Sequence, residues 1–177
     1  MKNLSRQHGL TLVELAVTMA VAAVLVSTAG PSLSDIIAAR RLDGVATQLA
    51  SDIQFVRTDA VARNQPLRLS FFAGADGSCY LIHTGASAQC SCSANGTAQC
   101  SGDAVQLKAV QLPASDRIAV SSNAASLLFD PLHGTSSPTA TLRVVGVNGR
   151  AIHHIVNLMG RVRSCSPLGA MPGYRAC

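Results

Sequence analysis

Hydrophobic residues run almost unbroken from Leu10 to Ala29, interrupted by one acid, Glu14, and preceded by a short leader, Met1 to Gly9, that carries Lys2 and Arg6. In a helix about 20 residues rise roughly 30 Å, the thickness of a hydrocarbon core. Gly30-Pro31 follows, and proline there predicts a kink rather than a stop, because the helical pattern resumes at once. Leu33, Ile36, Ile37, Leu42, Val45, Leu49, Ile53, Val56 and Ala60 step by threes and fours, with Arg40, Arg41, Asp43, Asp52, Arg57, Asp59 and Arg63 on the other face. Asn64-Gln65-Pro66 ends the pattern, since a residue before proline is pushed out of helical angles. The prediction is one helix of about 55 residues, apolar over 10–29 and amphipathic over 30–64.

Past Pro66 the period changes to that of short strands. Leu67 to Phe72, Cys79 to Thr84, Val105 to Leu112, Ile118 to Ser121, Ser126 to Phe129, Thr139 to Val147 and Ala151 to Leu158 are the candidates. Asn148-Gly149 between the last two is a hairpin signal, so the sheet is expected to be mainly antiparallel. Gly85 to Asp103, rich in Ser, Ala, Gly and Gln, reads as a loop stapled by Cys90, Cys92 and Cys100. The class is α+β: a long helix covering a small antiparallel β domain over 65–177.

Glu14 is out of place in an ordinary membrane anchor. A carboxylate near mid-bilayer costs about 3 kcal/mol on insertion scales, so it calls for a partner. A cut after Gly9 would supply one, because Leu10 would then carry a free amine that a neighbouring copy can bring to Glu14. Gly9-Leu10-Thr11-Leu12-Val13-Glu14-Leu15 resembles the class III signal of type IV prepilins and type II secretion pseudopilins. That resemblance implies cleavage after Gly9 by a prepilin peptidase, methylation at Leu10, and Glu14 as the assembly acid. Leu10 stands where phenylalanine is commoner. It further implies a pilin-like fold and assembly with other pilin or pseudopilin subunits. Lys2 and Arg6 favour a cytoplasmic N-terminus, an inner-membrane anchor over 10–29 and a periplasmic C-terminal domain. A secretory signal peptide is the poorer reading, because the apolar run is long and the helical pattern continues past it.

Six cysteines in an exported chain are expected as disulfides rather than zinc ligands. Cys165 with Cys177 closes the tail, while Cys79, Cys90, Cys92 and Cys100 leave three pairings open. His153-His154 cannot share a metal ion, since neighbours on a strand face opposite ways. No cofactor site and no catalytic motif is found, so a structural or binding role is expected rather than an enzyme.

The charge of +5 is unevenly placed. Five arginines, Arg143, Arg150, Arg161, Arg163 and Arg175, follow Pro131, with no acid among them. Such a surface favours anionic partners. Within it, Gly160-Arg161-Val162-Arg163 puts two arginines on one face of extended chain, about 6 to 7 Å apart, near the spacing of successive phosphates. Gly160 permits a tight turn or a close approach to a ligand. The element resembles the DNA-binding motif of minor pilins of the GspH/FimT family. That resemblance implies Arg161 and Arg163 on phosphates of double-stranded DNA, supported by Arg143, Arg150 and Arg175, during DNA uptake. Tyr174 is the one aromatic of this region, too little for a single-strand stacking platform. The other reading is a structural pseudopilin of a type II secretion system that binds no DNA.

Overall fold

The computed structural model describes residues 11–93 and 97–177, the side chains of 28–32 excepted. The chain divides into two units, Met1–Ile37 and Ala38–Cys177. One helix, α1 (Leu12–Arg63), belongs to both, and it runs through Gly30-Pro31. Its end is an Asn64 device more than a proline effect. Asn64 takes a left-handed conformation (φ 49°). Its N–H reaches the Val61 carbonyl and that of Gln65 the Ala60 carbonyl, which is a Schellman stop.

In the first unit the apolar side chains from Leu12 to Val26 are exposed, as are Leu33, Ile36 and Ile37. Of the expected stripe Leu42, Leu49, Ile53, Val56 and Ala60 are buried, while Val45 is only half-buried and Ala46 beside it takes the core position. The three earlier positions have no sheet of their own unit to meet. The expected span 10–29 passes beyond the described side chains at both ends. Among the described residues no helix is long and apolar enough to cross a membrane.

In the second unit α1 shares one core with two antiparallel sheets. The first has the order β5-β2-β1-β7-β8, from β1 (Leu67–Gly74), β2 (Gly77–His83), β5 (Gln106–Pro113), β7 (Ser126–Phe129) and β8 (Ser136–Ser137). The second has the order β11-β10-β9-β6, from β6 (Ala119–Ser122), β9 (Ala140–Val145), β10 (Ala151–Val156) and β11 (Val162–Cys165). Strand alternation sets the faces: Leu67, Leu69, Tyr80, Ile82, Leu142, Val144, Ile152 and Val156 join the helix residues in the core.

β2 is buried on both faces because the segment read as a bare loop is itself a hairpin, β3 (Cys90–Cys92) with β4 (Ala98–Cys100). It covers Cys79 and Leu81 with a small second core of cysteine and alanine. Cys90 pairs with Cys100 across this hairpin, and Cys79 with Cys92 ties it to β2. One member of the expected polar helix face is misplaced. Asp52 is buried, where the Tyr80 hydroxyl donates to it at 2.7 Å and the Lys108 ammonium at 2.6 Å. Burial, then the Asp52 bond, pushes the Tyr80 phenol far above its usual range.

Candidate functional site

Gly9 and Leu10 lie outside the described residues. Glu14 sits in the first turn of α1, exposed. Its carboxylate accepts from the Thr11 N–H and hydroxyl at 3.2 Å, and its own N–H donates to the Thr11 Oγ1 at 3.2 Å. This is a capping box, and the pattern Thr-x-x-Glu ahead of an apolar run was there to be read. The acid thus satisfies the helix start in the single chain.

The C-terminal arginines sit on the second sheet, and their placement begins with a turn. β10 ends at Val156, not Leu158, and Leu158 and Met159 form the turn into β11. Asn157 N–H donates to the Arg161 carbonyl at 3.1 Å, and Gly160 N–H to the Asn157 carbonyl at 2.9 Å. Gly160 has φ +67°, the left-handed residue that a three-residue hairpin loop requires. Asn157 Oδ1 also accepts the Arg161 N–H at 2.9 Å.

Gly160 is buried and gives no surface to a ligand, which corrects one of the two roles expected for it. A Cβ there would lie 2.6 Å from the Gly134 carbonyl oxygen and 3.0 Å from the Arg57 Cδ. Arg57 in turn donates from Nε to that carbonyl at 3.0 Å. Arg57, Gly134 and Asn157 are therefore residues that position the motif. Only Asn157, three before the glycine, has a local signal; Arg57 and Gly134 meet it through the fold.

Beyond this turn β11 pairs with β10 and forms the open edge of its sheet, with Arg163 opposite Ile155. Arg161 and Arg163 are exposed, while Val162 and Ser164, which alternate with them, are partly covered and face the helix side. There Ser164 Oγ donates to His154 Nδ1 at 2.8 Å, and His154 Nε2 donates to the Ala46 carbonyl at 2.9 Å. A carbonyl only accepts, so Nε2 carries a proton, and a neutral ring leaves Nδ1 to accept from the Ser164 hydroxyl. Burial holds its pKa below the usual imidazole value, against the opposing pull of the Ala46 bond.

Arg143, on β9, stands opposite His153 on the outer face. Burial and then the Arg143 charge hold the His153 pKa down. Counting across two strands and two residues, Arg143 and Arg163 are about 12 Å apart at Cα. Cys165–Cys177 closes the tail beside them, with the Cys177 sulfur 3.8 Å from His153 Nδ1. The tail is further held by buried Met171, by the Tyr174 hydroxyl on Asp43 at 2.7 Å, and by pairing of Ser166 with Ala176. Arg175 is thereby kept next to Ser166, exposed. Arg150 is not part of this group. It follows the Val147–Gly149 turn at the other end of β10, roughly 24 Å along the strand from Arg161. In that turn Asn148 (φ 58°) and Gly149 (φ 70°) both take positive φ. Among the described residues no group of three or more His, Cys, Asp or Glu is placed to hold a metal ion.

A long N-terminal helix with a capped acid in its first turn, laid over antiparallel sheets by its second half, defines a pilin-like subunit. Residues 45–160 match the family described as "Type II transport protein GspH" and residues 4–30 match the "Prokaryotic N-terminal methylation motif". The chain belongs to the GspH family, the minor pilins and pseudopilins of type IV pili or type II secretion. Arg161 and Arg163 fall just past the matched residues.

Among solved structures it is similar to the type IV minor pilin FimU of Pseudomonas aeruginosa strain PAO1. One crystal form (space group P21) matches with a TM-score of 0.52 at 17% identity, covering 72% of this chain and 93% of that one. A second form (P65) gives 0.49 at 17% identity, covering 71% and 96%. The first likeness shows the shared fold. No curated relative matches the sequence.

Proposed function

We propose that this protein is a filament subunit that binds double-stranded DNA through its C-terminal arginines during DNA uptake. The observation that carries the reading is the pair Arg161 and Arg163, exposed two residues apart on an open sheet edge, with Arg143 on the same outer face. No acid follows Asp130 in the chain to neutralise them. The turn at Gly160, fixed by Asn157 and by the Gly134 carbonyl, holds the pair in place before any ligand arrives. Contact through two or three phosphates predicts that log K falls against log salt with a slope of about −2 to −3.

The N-terminus supports the rest of the proposal. Prepilin peptidase would cut after Gly9 and leave Leu10 methylated, with 10–29 anchored in the inner membrane and the second unit in the periplasm. In the filament, a neighbour's terminal amine would replace Thr11 as the partner of Glu14. The role is structural and binding, not enzymatic.

The test is a gel shift with duplex DNA, using the unit Ala38–Cys177, which contains all the buried residues among those described. Arg161→Gln with Arg163→Gln should abolish retention and leave the thermal melt unchanged. Wild-type protein that fails to retain duplex at low salt refutes the proposal. The family description favours a second reading in that event, a type II secretion pseudopilin that binds no DNA.

A further inference from the structure

The turn in front of Arg161 is apolar where a solvated turn is normally polar. Leu158 and Met159 form its apex, 59% and 54% exposed. Leu132, 73% exposed, lies on the neighbouring loop, and the Ser136 N–H beside that loop donates to the Leu158 carbonyl at 2.9 Å. These side chains do not serve the core. Nor can the apex fold inward, since Asn157 holds one side of it and the contact of Gly160 with Gly134 holds the other.

We propose that Leu158 and Met159 seat against the bases of duplex DNA, as an apolar wedge beside the phosphates that Arg161 and Arg163 grip. This rests on the DNA reading above and adds to it a contact independent of salt. The charge around the apex selects the occupant. Arg161 follows the turn directly and Arg163 stands two residues beyond it, while on the Leu132 side the Asp130 carboxylate accepts from the N–H groups of Leu132 and His133. An apolar tip with two exposed arginines on one flank fits a ligand with a flat apolar interior and an anionic rim, which describes stacked bases between phosphates. Met159 and Arg161 are two residues apart, at most about 7 Å. Bases rise about 3.4 Å per step, so the apex reaches a base one or two steps from a gripped phosphate. Leucine and methionine are among the side chains that partly unstack base steps from the minor groove.

The experiment uses the full chain in non-ionic detergent and a short synthetic duplex carrying the fluorescent base 2-aminopurine, which brightens when unstacked. Wild-type protein should raise the fluorescence. Leu158→Ser with Met159→Ser should bind about tenfold more weakly at every salt concentration, with the same salt slope and no fluorescence rise. Arg161→Gln alone should instead make the salt slope shallower by about one. Both changed apex side chains are exposed, so an unchanged melt shows that the fold is kept. Leu158→Ile with Met159→Leu should restore both signals.

Binding by wild type with no fluorescence change, or a serine variant with undiminished affinity, overturns the wedge while leaving DNA binding intact. Vesicles of anionic phospholipid serve as the other arm. A serine variant that loses vesicles but keeps DNA assigns the apex to a lipid surface and also overturns the proposal. No duplex binding by wild type sinks the DNA reading itself.

Discussion

Two hairpins of this protein are held in opposite ways. β3–β4 has three-residue strands, a core of sulfur and alanine, and no charged side chain on either strand. Two disulfides fix it, one across the strands and one to β2. β10–β11 has no disulfide across its strands. A left-handed glycine, the Asn157 carboxamide, His154 beneath it and the Arg57–Gly134 contact hold it instead. The first is rigid where oxidation makes it so, and the second is rigid by backbone geometry. Under the DNA reading proposed above, a basic edge strand that presents two arginines gains more from the second kind, since its outer side chains stay exposed.

Breaking the first hairpin should have the largest effect. Cys90→Ser with Cys100→Ser removes the cross-strand closure, worth about 3 kcal/mol for a loop of this size. Limited proteolysis should then cut between residues 85 and 104 while hydrogen exchange at β10–β11 stays slow; cuts elsewhere first would show the hairpin to be part of the main core. Gly160→Ala should cost about 2 kcal/mol in a denaturant melt, through the positive φ and the approach to the Gly134 carbonyl. The same variant should lose duplex DNA, whereas the cysteine variant should keep it. Asn157→Ala should cost about 1 kcal/mol and release only the Arg161 N–H. A melt unchanged by it would mean that the glycine alone sets the turn.

The smallest effect is a dependence on pH. His154 titrates below its unfolded value because burial disfavours the charged ring. The unfolded chain therefore takes up the proton first as pH falls. The stabilisation is complete above the ordinary imidazole range, about 6.5, and declines below it. Protection of β10–β11 amides should fall with acidification, while β3–β4, whose strands carry no titrating group, holds. His83, also buried with a lowered pKa, lies on β2, so His154→Gln is the variant that separates the two.

Much of this architecture could be read from spacing. The three-and-four rhythm located the helix, and alternation located β1, β2, β5, β6, β7, β9 and β10 to within a few residues. The misreadings have local causes. Charge argues for Asp52 on the wet face, although three after Leu49 and four before Val56 is a core position. Leu158 extended a strand because it is apolar, when it belongs to a turn. The β3–β4 hairpin was hidden because sulfur and alanine give no alternation of bulk, and nothing in spacing chose among the cysteine pairings. At the arginine motif the side chains could be named in advance. The burial of Gly160 could not, because Gly134 and Arg57 reach it through the tertiary fold.

Among the described strands β11 also stands at the edge of its sheet, and the tail reaches that edge just past its end, where Ser166 pairs with Ala176. Two molecules meeting edge to edge would bring four guanidinium groups together, and that repulsion opposes pairing of the two strands. Salt weakens it over a Debye length of about 8 Å at physiological strength and about 3 Å near molar concentration. Concentrated stocks kept in strong brine should thus drift toward sheet-extended pairs, and glutamine in place of both arginines should bring the same drift at ordinary ionic strength.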